Sequence, residues 1–257
     1  MSGRFIGYFR LIDACGEPGC PVCRCVRDDS ARHLTALLSE HVTDPETRAA
    51  LRAARGFCNW HAAMLRDIPD AGFAVAILSA DLIAAEGVRA GRLRAAGDGG
   101  TARLAGLGRL LGAGSRRPGR NGRTREGACL TCRTVRDGEA RYLREMLGSV
   151  GRPDFDAAFD HADGLCRPHL ARLADLAEAR SASALERLIE QNRAKWRRLE
   201  GVLRRFIEKH DHRRRAPLTE EEARSWRLAL ELLAGAPGVF GDDARGVPPA
   251  ARGGLRR

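Results

Sequence analysis

One ligand pattern is written twice in this chain. The first copy opens with CPVC (Cys20, Cys23) and arrives at GFCNWH (Cys58, His61). The second opens with CLTC (Cys129, Cys132) and arrives at GLCRPH (Cys166, His169). The CxxC elements are offset by 109 residues and the CxxH elements by 108, so one single-residue deletion restores the register. Between the anchors Arg24 matches Arg133, Val26 matches Val135, Asp28 matches Asp137, Leu34 matches Leu143 and Leu38 matches Leu147. Past the deletion Pro45 matches Pro153, Ala49 matches Ala157 and Gly56 matches Gly164. The chain is an internal duplication, and each copy supplies three thiols and one imidazole.

Two donor pairs, each separated by two residues, are the spacing of a closed four-coordinate Cys₃His zinc site. Soft thiolates select Zn²⁺ or an iron–sulfur cluster over Mg²⁺ or Ca²⁺. Four protein ligands leave no coordination position for water, so the expected sites are structural. The expectation is two Zn²⁺ per chain, each held within one repeat: Cys20, Cys23, Cys58 and His61 for the first, Cys129, Cys132, Cys166 and His169 for the second. An iron–sulfur cluster, redox thiols and disulfides are the alternatives.

The flanking residues predict how the ligands are held. Pro21 lies inside the first CxxC and Pro168 directly precedes His169, positions that suit the first turn of a helix. Helix-compatible stretches follow each pair, at Arg24 to Leu38, Ala62 to Arg66, Arg133 to Leu147 and Leu170 to Ala179. The ligands then sit at helix N-termini, where partial positive charge favours thiolate over thiol. Arg24 and Arg133, one residue past each CxxC, either help neutralise a thiolate-rich site or are ordinary solvated arginines. Val26, Leu34, Leu37 and Leu38 form a helical apolar stripe, as do Val135, Tyr142, Leu143, Met146 and Leu147. A turn at Thr43-Asp44-Pro45, or at Gly151-Arg152-Pro153, leads into a shorter helix, and Gly56 or Gly164 caps it before the third ligand. Each repeat is thus predicted to be a helical hairpin with unequal arms.

Outside the repeats, Phe73 to Leu93 reads as a helix, Ser183 to Lys209 as a long helix with Asn192 as a polar break, and Glu220 to Leu233 as a capped helix behind Thr219. The first ten residues leave room for a strand. Gly97 to Gly127 holds ten glycines and seven arginines against two acids, a flexible-linker composition. The expected fold is all-α: two duplicated zinc-stapled helical hairpins with additional long helices. The expected organisation is a first repeat over 1–96, a Gly/Arg linker over 97–127, a second repeat with long C-terminal helices over 128–240, and a disordered tail over 241–257.

Composition excludes some classes. Hydrophobic residues at 44% and charged residues at 30% of 257 residues argue against global disorder. Aromatics at 5% disfavour a β-rich fold. The net charge of +11 is carried almost wholly by arginine. It concentrates in the Gly97–Gly127 segment and in Arg193–Arg215, each a candidate phosphate-binding surface. Trp196 and Phe206 fall on the apolar stripe of the latter and read as core. Arg10 and Asp13 interrupt the apolar N-terminus, and the apolar stretch from Ala71 to Ala85 is short for a bilayer and carries Asp81. The expected location is cytoplasmic, where clustered cysteines bind metal rather than form disulfides.

The stretch CPVC…DPETRAALRAARGFCNWH, with GYFRLIDACGEPGCPVC before it and SWRLALELLAGAPGVFG near the end, resembles an uncharacterised bacterial family with paired CPxC…G[FL]CxxH units. The resemblance implies the same eight metal ligands and carries no activity with it. CLTC departs from the family's proline after the first cysteine and leaves the ligands intact. No nucleotide-binding loop, HExxH or nucleophile–base constellation is present, so neither catalytic nor other cofactor-binding residues are assigned. The expected function is a non-enzymatic zinc-binding helical protein with an interaction or regulatory role, acting on a protein partner. The alternatives are a zinc–thiol redox sensor with Cys15 and Cys25 as extra thiols, a nucleic-acid binder and an iron–sulfur protein.

Overall fold

The computed structural model describes residues 6–97, 129–210 and 216–240, and among them every regular element is helical. The helices are α1 (Ile6–Cys15), α2 (Pro21–Glu40), α3 (Pro45–Ala54), α4 (Asn59–Arg66), α5 (Gly72–Gly97), α6 (Leu130–Ser149), α7 (Pro153–His161), α8 (Arg167–Leu176), α9 (Ala182–His210) and α10 (Glu220–Ala234). Beyond Gly97 the predicted linker lies outside the described residues, as do the predicted tail and positions 211–215. The candidate strand at the N-terminus is corrected over its described part. Tyr8, Leu11, Ala14 and Cys15 are all buried, a helical spacing that makes α1 the apolar stripe packed on α7.

The described residues form two units that do not follow the repeats. One joins the described residues of 6–33 to those of 131–240, and the other holds 34–97 with 129 and 130, so α2 leaves the first unit between His33 and Leu34. The division differs from consecutive domains at 1–96 and 128–240. Its physical reason lies in two separate apolar cores. The first gathers Tyr8, Leu11, Val22 and Val26 with Leu143, Met146, Phe155, Phe159, Leu173 and Leu188. The second gathers Leu34, Leu37 and Leu38 with Leu51, Leu65 and Leu78. The stripe of α2 is therefore shared, its first half in one core and its second half in the other.

Within each unit the helix that follows a repeat braces that repeat's short arm, with opposite charge polarity. On α3, Arg48 and Arg52 reach Asp81 of α5 (3.3 and 2.5 Å), and Arg55 reaches Glu86 (2.7 Å). On α7 the aligned positions are acids. Asp156 takes Arg187 of α9 (2.6 Å) and Asp160 takes Gln191 (3.1 Å). Such exposed pairs add little stability each, but they fix which face of the bracing helix meets the arm.

The capping prediction for α10 holds. Thr219 Oγ1 accepts from the Glu222 N–H (3.2 Å), and Glu222 Oε2 accepts from the Thr219 N–H (2.8 Å). The same carboxylate takes Lys209 of α9 (2.7 Å), which with the cap holds it below the usual glutamate range. Replacing Thr219 by Ala is expected to cost about 1 kcal/mol, the usual worth of an N-cap, read as a lowered midpoint in urea denaturation.

Candidate metal centres

The eight predicted ligands converge into two buried clusters, but each cluster is built from both repeats. Cys20 and Cys23 meet Cys166 and His169, while Cys58 and His61 meet Cys129 and Cys132, with the ligand atoms of each set within 4.8 Å of one another. The expectation that each repeat closes its own site is corrected. Helix lengths give the reason. α2 has 20 residues and α3 has 10, so α2 carries the chain about 30 Å away from its CxxC and α3 returns only about 15 Å. α6 and α7, with 20 and 9 residues, repeat the mismatch. A hairpin with such unequal arms leaves its CxxH short of its own CxxC.

In the first cluster three sulfurs surround one nitrogen. His169 Nδ1 lies 3.4 Å from Cys20 Sγ, 3.3 Å from Cys23 Sγ and 3.2 Å from Cys166 Sγ, and Cys23 and Cys166 Sγ are 3.6 Å apart. Zn–S near ~2.3 Å and Zn–N near ~2.0 Å make tetrahedral edges of about 3.5–3.8 Å, so one small tetrahedral ion fits this donor set. The 3.6 Å sulfur separation is far longer than a disulfide bond, and all eight cysteines are buried and outside any disulfide. In the second cluster His61 Nδ1 lies 3.2 Å from Cys58 Sγ and 3.6 Å from Cys129 Sγ, and Cys132 follows three residues after Cys129.

Every ligand pair opens a helix. Cys20 precedes α2 and Cys129 precedes α6, while Cys58 and Cys166 are the N-caps of α4 and α8. The ligands thus lie at the positive ends of helices, which favours thiolates, although neither Cys58 nor Cys166 accepts a capping hydrogen bond through its sulfur. Burial pushes the Cys20 thiol up, but hydrogen bonds from Cys166 and Cys23 and the charge of His169 outweigh it and hold Cys20 well below the usual thiol range. Cys23 moves the other way, raised by the thiols of Cys166 and Cys20. Arg24 turns to Glu17 (3.6 Å), and Arg133 is exposed, so both read as surface arginines.

Before the third ligands Gly56 and Gly164 adopt the expected positive φ, +90° and +96°, a region that favours glycine. The expectation that they cap the short helices is corrected, since the C-caps are Arg55 for α3 and Ala162 for α7. Around the second of these the structure adds residues that were not assigned a role. Asn192, fully buried on α9, accepts from the Leu165 N–H (2.6 Å) and donates to the Leu165 carbonyl (3.2 Å). A Cβ on Gly164 would stand 2.6 Å from Asn192 Oδ1, so glycine and asparagine require each other. Asp163 accepts from the Gly19 N–H (2.8 Å) and ties one knuckle to the other. Glu139 of α6 lies with Oε1 2.8 Å from His169 Nε2 and with Oε2 on Arg172. The carboxylate on Nε2 leaves Nδ1 as the donor that faces the sulfurs, the arrangement of a metal-bound histidine. The Ala236 N–H donates to Cys23 Sγ (3.4 Å), and Phe240 covers the His169 ring (5.0 Å between centroids).

Two of these residues had a signal in the sequence. Asn192 interrupts the stripe of α9, and Glu139 stands four residues after Val135 and four before Leu143 on the stripe of α6. A polar side chain on an apolar face must find buried partners. Asp163 and the Ala236 N–H gave none.

Two outcomes follow from this geometry. In Cys166→Ser, Cys20 and Cys23 are expected to become reactive to N-ethylmaleimide while Cys129 and Cys132 stay protected, as mapped by peptide mass spectrometry; ligation within repeats gives the reverse. Asn192→Ala leaves two buried backbone groups of Leu165 without their partner and is expected to cost about 2–4 kcal/mol, read from thermal and urea unfolding.

No curated protein and no solved structure matches the chain significantly. Among the described residues no helix is long and apolar enough to cross a membrane. A family model matches residues 8–223, a span that contains all eight ligands, both CxxC elements and both CxxH elements. The chain belongs to the family of unknown function DUF6062.

Proposed function

We propose that both clusters hold Zn²⁺ as structural Cys₃His sites, and that the protein is a non-enzymatic, cytoplasmic interaction or regulatory module acting on a protein partner. One observation carries the metal reading: His169 Nδ1 sits 3.2–3.4 Å from three sulfurs while its other nitrogen rests on buried Glu139. Ligand, imidazole tautomer and carboxylate agree on a single tetrahedral ion. Zn²⁺ would supply folding free energy by joining the two repeats. Four protein donors per ion give a closed site, which supports a structural role over a catalytic one.

The same separations disfavour an iron–sulfur cluster, which interposes several iron and sulfide atoms between its thiolates and needs them farther apart. The redox reading needs accessible thiolates. Burial first, then the charge of Cys20, pushes the Cys15 thiol up to about 12, and burial followed by Asp29 and Asp28 pushes Cys25 to about 12. Both thiols are protonated at neutral pH, which makes them poor sensors. Eight cysteines without a disulfide suit a reducing compartment.

A protein partner is favoured over nucleic acid because most of the described cations of α9 already have acids. Arg193 and Arg197 pair with Glu190, Arg198 with Glu221, Arg204 with Glu200, and Lys209 with Glu222. Trp196 packs against the first core, as its stripe predicts, rather than offering a stacking platform.

Elemental analysis of the purified chain is expected to give about two zinc ions per chain, the content of two closed Cys₃His sites. Cobalt substitution is expected to give the visible absorption of tetrahedral sulfur-rich sites. One metal per chain, or iron with sulfide, refutes the proposal. Glu139→Gln is expected to weaken one of the two zinc ions by about 10–100-fold in chelator competition and leave the other unchanged.

A further inference from the structure

The helix α5 is apolar on two faces, and among the described residues only one of them is covered. Leu78 belongs to the second core, and Ala74, Val75, Ile77 and Leu82 pack against it. On the outward side Phe73, Ile83 and Val88 are 81%, 72% and 61% exposed. From Phe73 to Gly91 the charged residues are Asp81, Glu86 and Arg89, and all three turn to α3. Asp81 pairs with Arg48 and Arg52, Glu86 pairs with Arg55, and Arg89 donates to the Arg52 carbonyl (2.9 Å). The outward face therefore presents no charge over about 27 Å of helix. A helix apolar all round is normally buried all round.

We propose that this face is a homodimer interface, with α5 packed antiparallel against α5 of a second copy. The distribution of bulk selects that occupant. A two-fold axis at the level of Leu82 sets Phe73 against Gly91, Ala76 against Val88 and Ala80 against Ala84. Phe73 and Val88 each meet a small residue, which suits an isologous interface, because it pairs one patch with itself. Among the described residues a Cβ on Gly91 would meet nothing within 4 Å, so the space opposite Phe73 is open to a partner. Ile83 stands beside Ala80 and Ala84 at the centre. Covering the three large residues and the small ones between them removes on the order of 500 Å² per copy, about 1,000 Å² in all, the lower bound for a stable interface. Parallel packing sets Phe73 against Phe73 and Gly87 against Gly87, leaving bulk at one end and a gap at the other.

The proposal is independent of the metal reading. Sedimentation of the full zinc-loaded chain from about 1 to about 100 μM, where an interface of this size associates, is expected to show a monomer of 28.0 kDa converting to twice that mass. Ala80→Glu places an unpaired charge in the seam and is expected to weaken dimerisation about a hundredfold or more. Because Ala80 is exposed, metal content and helical circular dichroism stay unchanged. Ala84→Arg alone is expected to be monomeric too, and mixing it with Ala80→Glu restores a dimer, since the two positions face each other only in the antiparallel register. A wild-type chain that stays monomeric throughout overturns the proposal, even if it sediments with lipid vesicles. So does an Ala80→Glu chain that still dimerises, or a mixture of the two variants that stays monomeric.

Discussion

Crossed ligation is the constraint on which the rest of the molecule depends. Each cluster takes its CxxC from one repeat and its CxxH from the other, so neither repeat can complete a site alone. The pairing from Cys23 to Cys166 joins residues far apart in sequence, and the pairing from His61 to Cys129 encloses the Gly/Arg segment. An ion bound at either position therefore restrains the unfolded chain over a long loop, where closing entropy is large. The same crossing brings α2 and α6 together in the first unit, where Tyr142 donates to Asp29 (2.9 Å) and Gly138 leaves room for the Asp29 side chain.

The helices after the repeats turn this exchange into a defined geometry. α5 and α9 each brace a short arm, with arginine on α3 against acid on α5 and acid on α7 against cation or amide on α9. Reversing the polarity at aligned positions makes each arm complementary to its own bracing helix. Arg48 would face the like charge of Arg187 if α9 lay along α3, and Arg52 would lose its acid, so the wrong pairing is disfavoured. α9 adds a second duty through Asn192, which fastens the Gly164–Cys166 knuckle by both polar groups of one peptide.

Divergence between the copies is concentrated in these supports, while the ligands are unchanged. Glu139 aligns with Ser30, whose hydroxyl donates to the Val26 carbonyl (2.8 Å) within its own helix. Arg172 joins the carboxylate of Glu139 and also lies over the Phe240 ring, so the first cluster is held by α6, α8 and the segment after α10 together. α5 keeps a long uncharged outward face.

Much of this was legible in the sequence because it depends on local chemistry. The duplicated donors, the prolines at helix starts, the glycines at the knuckles, the capping box and the apolar stripes are short-range patterns, and the all-helical fold and the eight clustered residues follow from them. Even the inequality of the hairpin arms was visible. The exchange of partners was not, because both repeats carry the same donors at the same spacing and no local signal distinguishes one CxxH from the other. Nor was the division into two cores, since the stripe of α2 reads as continuous. Only the tertiary structure decided these, because α2 and α6 are twice as long as their return arms, and rigid helices of unequal length set which ligands can meet.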